Sequence, residues 1–112
     1  MGSEPFSLSL RRKMELAARD LGIEVMVGGV YGHTNGPRFE TQVEIQALSA
    51  AGVAAVSQTC GPEAVLAAEL GLPYGLVGFP VNYATGVAEP EPKEELDRVL
   101  ALSARVLPSL VL

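Results

Sequence analysis

At 112 residues, with 48% hydrophobic side chains, 12 glycines and 8 prolines, the chain is one domain at most, ordered and rich in turns. Its net charge of -5 and scattered basic residues exclude a nucleic-acid-binding surface, and the Arg11-Arg12-Lys13 triplet reads as a solvated helix face. One cysteine, Cys60, and one histidine, His33, exclude an internal disulfide and the standard zinc clusters. No apolar run is long enough to span a bilayer and no signal peptide precedes the first helix, so the expectation is a soluble cytoplasmic protein without a metal.

Leu10, Met14, Ala17, Ala18 and Leu21 recur at helical spacing, with Ser7 or Ser9 as cap and Gly22 as stop. Ile23–Val30 reads as a strand, Ile23, Val25 and Val27 alternating with Glu24 and Met26. It leads into GGVYGHTNGPRFET, residues 28–41, where Gly28-Gly29 frees the backbone to turn and Asn35-Gly36-Pro37 marks a turn. Thr41 and Glu44 form a capping box that opens a second helix, with Val43, Ala47, Leu48 and Ala51 inward and Gly52 at its end.

Val53–Val56 reads as a strand buried on both faces. Ser57-Gln58-Thr59-Cys60-Gly61 then leads into a third helix with Pro62 in its first turn and Gly71 at its close. Tyr74–Phe79 is a further apolar strand, and Glu89-Pro90-Glu91-Pro92 an acidic linker. Leu96, Val99, Leu100, Ser103 and Leu107 mark a final helix whose regular part ends at Pro108. The order α, β, α, β, α, β, α predicts an α/β fold with a mainly parallel sheet and ligand loops at the carboxyl ends of its strands.

Two places carry chemistry. The capping box holds Phe39 and Glu40 just before a helix N-terminus, where a ring beside a carboxylate can recognise a planar base; the equal alternative is a hydrophobic staple with a solvated Glu. At the third helix the free N–H groups of the first turn and the Thr59 hydroxyl can hold an anion; the alternative is a plain strand-to-helix turn. His33 reads as an exposed loop histidine and Cys60 as a small half-buried residue.

Three segments, GGVYGHTNGPRFET, AAVSQTCGPEAVLAAELGLPYGLVGFPVN and KEELDRVL, share their order and spacing with one family. From about Phe6 to Leu107 the chain resembles the carboxyl half of the trimeric purine nucleoside phosphorylases and the methylthioadenosine or methylthioinosine phosphorylases. The resemblance implies a single truncated domain over residues 1–112, a partial three-layer sandwich, and cleavage of a purine nucleoside with phosphate to base and pentose 1-phosphate. Phosphate is a co-substrate, and no cofactor is implied.

By the same resemblance Phe39 packs on the purine, Glu40 accepts from its N1–H, Val56 lines the base pocket and Tyr31 lies near the sugar. Asn82 is the implied catalytic residue, donating toward N7 or O6 as charge builds on the leaving base. Glu40 with Asn82 points to hypoxanthine or guanine, and Thr59 is the implied phosphate-binding hydroxyl. Gln58 departs from the family's usual Met against the pentose, so an apolar sugar contact becomes polar. Ser57 replaces a usual Gly, and Lys93 stands near the place of a His at the sugar 5′ position.

The family's amino half holds a Gly-rich phosphate loop and the Arg and His that grip phosphate, so the implied site is incomplete here. Three readings follow. One is a 6-oxopurine (methylthio)nucleoside phosphorylase completed by a homo-oligomer or by a chain supplying the amino half. Another is an inactive remnant or purine-binding module that self-associates through exposed sheet edges and helix faces. The third is a small α/β ligand-binding domain of unrelated ancestry. The expected partners are a purine nucleoside or base and phosphate, with no nucleic acid and no membrane.

Overall fold

A computed structural model describes residues 4–111. Along the described chain run α1 (Leu8–Asp20), β1 (Tyr31–His33), α2 (Gln42–Ala50), β2 (Ala55–Ser57), α3 (Cys60–Glu69) and α4 (Lys93–Val111). β1 and β2 pair in parallel, Tyr31 opposite Ala55, Gly32 opposite Val56 and His33 opposite Ser57, with α2 as the crossover between them. The fold is therefore α/β with a small parallel sheet, as the alternation of elements predicts.

Local signals set the helix ends. Ser7 caps α1 by accepting from the Leu10 N–H at 3.3 Å. α1, α2 and α3 all stop the same way: a glycine takes a positive φ (Gly22 at 68°, Gly52 at 90°, Gly71 at 67°). The next residue then donates back to the last turn, Ile23 to Ala18, Val53 to Leu48 and Leu72 to Ala67, at 2.8 to 3.0 Å. This is the Schellman closure that a left-handed glycine permits.

The Thr41–Glu44 capping box is present in both directions, with the Glu44 N–H on the Thr41 hydroxyl at 3.2 Å and the Thr41 N–H on the Glu44 carboxylate at 3.4 Å. Thr41→Ala is expected to cost about 1 kcal/mol of stability, read as a lower urea midpoint with an unchanged m-value.

The strands differ from expectation. Ile23–Val30 has strand-like alternation but no ladder among the described residues, and Met26 is fully exposed at 100%. Gly28 and Gly29, with φ of 90° and 94°, break the extended run, and Val30 meets the start of β2, its carbonyl accepting from the Ala54 N–H at 2.9 Å and the Ala55 N–H at 3.4 Å. Tyr74–Phe79 likewise forms no ladder among the described residues. It lies against α1, where the Ser7 N–H donates to the Tyr74 carbonyl at 2.7 Å, and a Cβ on Gly75 would come within 3.1 Å of Leu10 and 3.0 Å of Met14. The Tyr74 hydroxyl donates to Glu63 at 2.7 Å, and this bond, with burial, pushes the phenol up to about 12.

Burial shifts too. β2 starts two residues after the predicted strand and is not buried on both faces, since Ala55 is exposed and Val56 and Ser57 are half-buried. In α2 the buried residue is Ile45, while Val43 is 73% exposed; among the described residues no element covers Val43's side. α4 runs through Pro108 to Val111 instead of stopping there. A proline this near a helix end removes only one late hydrogen bond. Half-buried Leu96, Val99, Ser103 and Val106 and buried Leu110 make a stripe along α4, which packs beside α1. The buried apolar residues described are Ala18, Ile45, Cys60, Ala64 and Leu110, a small core for a chain this apolar. No helix among the described residues is long and apolar enough to cross a membrane.

Candidate functional site

The carboxyl ends of β1 and β2 leave the sheet side by side, and the Thr34 N–H donates to the Ser57 carbonyl at 3.0 Å, which extends the pairing by one step. Two loops start there, residues 34–41 toward α2 and residues 58–59 toward α3. A parallel sheet gathers ligand-binding loops at this end.

The first loop folds back on its own start, so that the Thr34 hydroxyl donates to Glu40 Oε1. Gln58 reaches across from the second loop. Its Nε2 donates to the Arg38 carbonyl at 2.8 Å and makes a long 3.5 Å contact to the same Glu40 oxygen. Gly36 makes room for this amide: its φ is 64°, and a Cβ there would lie 3.0 Å from Gln58 Cδ. Arg38 pairs with Glu44 at 2.9 Å and donates to the Phe39 carbonyl at 3.1 Å. Phe39 itself is 83% exposed, its ring free to stack.

The Thr34 hydroxyl and then the Glu40 backbone N–H hold the Glu40 carboxyl below the usual carboxylate range against the opposing effect of burial, with lesser help from the Gln58 amide and the Arg38 charge. A carboxyl whose folded pKa is depressed contributes stability that is present above its unfolded value, about 4.3. That contribution is lost as pH falls through the folded value. The side-chain carboxyl carbon of Glu40, followed by NMR, is therefore expected to titrate below that value in the folded chain. A midpoint at or above it would contradict the hydrogen bonding described.

At the second loop, Thr59 occupies the N-cap of α3 but makes no side-chain cap bond. Its Oγ1 accepts from the Ser57 hydroxyl at 3.2 Å, which leaves its own proton available to a ligand. The first N–H of α3, from Cys60, donates to the Tyr31 hydroxyl at 3.3 Å. Cys60 is fully buried, beyond the half-burial expected.

His33 is not an exposed loop residue. It lies in β1, half-buried, with Nδ1 buried and unpartnered. The ring stands against Gly61, where a Cβ would lie 2.7 Å from Nδ1 and 2.8 Å from the His33 Cβ. Gly61→Ala is thus expected to overpack this contact and cost about 1–3 kcal/mol, checked by chemical denaturation.

The structure brings Tyr31, Glu40, Val56, Gln58 and Thr59 to one end of the β1–β2 pair, with Phe39 beside Glu40. Val56 is half-buried opposite Gly32. Asn82 stands apart on an irregular segment, exposed, its Nδ2 donating to the Tyr83 carbonyl at 2.8 Å. Among the described residues no hydrogen bond joins it to Glu40 or Thr59. Lys93 is the exposed first residue of α4. An open groove of about 350 Å³ lies elsewhere, along α2 and residues 85–87, and none of these site residues lines it. No three of His, Cys, Asp and Glu come together as metal ligands among the described residues.

Sequence reasoning missed Thr34 and the seat of His33 against Gly61. The available signal for Thr34 was the Asn35-Gly36-Pro37 turn between it and Glu40, which reverses the chain and returns the carboxylate to the strand end.

Fold and site define an α/β protein that presents an acceptor carboxylate, an open aromatic ring and a hydroxyl-bearing helix start at the carboxyl edge of a parallel sheet. The family model described as "Phosphorylase superfamily" matches residues 1–112, and the chain belongs to that family. This rules out the reading of unrelated ancestry.

The chain is 40% identical over 109 residues to the "Probable S-methyl-5'-thioinosine phosphorylase" of Methanopyrus kandleri, covering 97% of this chain and 42% of that protein. It is 42% identical over 100 residues to the "Probable 6-oxopurine nucleoside phosphorylase" of Moorella thermoacetica, covering 88% of this chain and 38% of that one. The solved methylthioadenosine phosphorylase from Schistosoma mansoni in complex with adenine superposes with a TM-score of 0.84 at 24% identity, over 99% of this chain and 45% of that one. That likeness is one of fold. The chain spans about two-fifths of the length of the curated relatives it matches.

Proposed function

We propose that this chain carries the base-binding side of a purine nucleoside phosphorylase site that takes 6-oxopurine (methylthio)nucleosides and phosphate and yields base and pentose 1-phosphate. The observation that carries this reading is the Glu40 carboxylate, held ionised by Thr34 and Gln58 beside an exposed Phe39 ring. An ionised carboxylate only accepts hydrogen bonds, which suits the ring N–H of a 6-oxopurine. The names of the relatives from Methanopyrus kandleri and Moorella thermoacetica support the same substrate class.

In this reading the Thr59 hydroxyl binds phosphate, Asn82 donates to the leaving base, Val56 lines the base pocket, and Gln58 and Tyr31 lie toward the sugar. The test is phosphorolysis of inosine by the purified chain at high concentration, with Asn82→Ala controlling for a contaminating enzyme. Phosphate-dependent release of hypoxanthine that Asn82→Ala abolishes supports the reading.

One observation favours a second reading, a purine-binding module without turnover. The Tyr31 hydroxyl takes the first N–H of α3 and the Ser57 proton is spent on Thr59, so two donors near the helix start are already used, although the Thr59 proton is not. Hypoxanthine binding without phosphorolysis is its signature.

In either case apolar residues on 23–30 and Val43 lie open among the described residues. Self-association, or cover by a chain bearing the remaining elements, belongs to this proposal. Sedimentation velocity is expected to show a species larger than 11.7 kDa, and a monodisperse monomer would count against it.

A further inference from the structure

Resting on the reading that Glu40 meets the edge of a purine, we propose that Thr34 is a specificity-determining positioning residue, whose hydroxyl fixes one Glu40 oxygen so that the other faces the ligand as a pure acceptor. Thr34 is well placed for this. Its backbone N–H is tied to the Ser57 carbonyl at 3.0 Å, which locks it to the end of β2. A hydroxyl has one proton to give, and this one goes to Glu40 Oε1.

The only other side-chain donor within reach of Glu40 among the described residues, Gln58 Nε2 at 3.5 Å, points at the same oxygen. Both side-chain donors converge on Oε1, and Oε2 has no side-chain partner among the described hydrogen bonds. Arg38, the nearest cation along the chain, makes its ion pair with Glu44 at 2.9 Å and not with Glu40.

The chemistry of selection follows from this saturation of Oε1. An acceptor-only oxygen takes an edge that carries a ring N–H, as a 6-oxopurine does at N1. It repels the bare N1 of a 6-aminopurine, which needs a donor that the site supplies only when Glu40 is protonated. Donors on Oε1 disfavour that protonation. Thr34 thereby acts on which purine is accepted without touching it, and a site built around one hydrogen-bond polarity discriminates strongly against the other.

The test is calorimetric titration of hypoxanthine and of adenine into the full chain, its Thr34→Val variant and its Thr34→Ser variant, at pH 7 and pH 5. Thr34→Val keeps the shape and the backbone bond but removes the donor. It is expected to weaken hypoxanthine binding roughly tenfold and to narrow the hypoxanthine-over-adenine preference, more at pH 5 than at pH 7. It should also raise the Glu40 titration midpoint seen by NMR. Thr34→Ser is expected to restore both, which a purely packing role would not.

A chain that prefers hypoxanthine and keeps that preference unchanged in Thr34→Val overturns this inference and leaves the proposed function standing. A wild-type chain that binds neither purine overturns both.

Discussion

Glu40→Gln is expected to weaken hypoxanthine binding by about 10- to 100-fold while adenine binding falls less or improves. The change keeps volume and removes one property, the presence of two acceptor oxygens. In the wild-type chain Oε1 is taken by the Thr34 hydroxyl and Gln58, and under the proposed function Oε2 meets the ligand. A carboxamide has a single oxygen, which the Thr34 donor keeps, so its N–H₂ faces the base.

Against the N1–H of a 6-oxopurine that arrangement sets donor against donor. Loss of a hydrogen bond to a charged group is worth about 1.5–3 kcal/mol, which at about 1.4 kcal/mol per decade gives the stated range. Against adenine's bare N1 the new donor is complementary. Calorimetry with both bases checks this, and equal losses for the two would place the base elsewhere.

Asn82→Ala is expected to lower the rate of phosphorolysis by about 10²- to 10³-fold while changing hypoxanthine affinity only a few-fold. Negative charge grows on the leaving purine as the glycosidic bond breaks, so a donor at the base is worth more in the transition state than in the ground state. Removing one such preorganised donor has effects of this order. Only one of the two Nδ2 protons of Asn82 is used among the described hydrogen bonds, on the Tyr83 carbonyl, so under the proposed function the second is the one that would serve the base.

Steady-state kinetics separates the two effects: a fall in kcat with KM nearly constant marks a transition-state contact. A rise in KM alone would reassign Asn82 to ground-state binding.

Features set by chemistry within a few residues were legible in the sequence. The capping box of α2 and the glycine stops of α1, α2 and α3 depend on side chains and φ angles within one turn, and all lie where the spacing predicts. Features that depend on distant partners were not. Ile23–Val30 and Tyr74–Phe79 have the composition of strands, yet a ladder needs a neighbouring backbone, and among the described residues only β2 supplies one, over Tyr31–His33. The same holds for Val43 against Ile45, where helical periodicity names a face but not the element that covers it.

At the site, Phe39, Glu40 and Thr59 stand out by their place before helix starts, because caps mark those starts. The Thr34–Glu40 bond spans six residues around the Asn35-Gly36-Pro37 turn, and the contact of His33 with Gly61 joins the end of β1 to the first turn of α3. Neither is visible to a local reading. His33 looked exposed for that reason, since nothing nearby in sequence reports the helix start that packs on it.

The most direct measurement is a crystal structure of the chain with hypoxanthine bound. The account predicts the base stacked on Phe39 with its N1–H on the free Glu40 oxygen, and Thr34 still holding the other. Hypoxanthine seated in the groove along α2, or no bound base at a concentration well above millimolar, would contradict it.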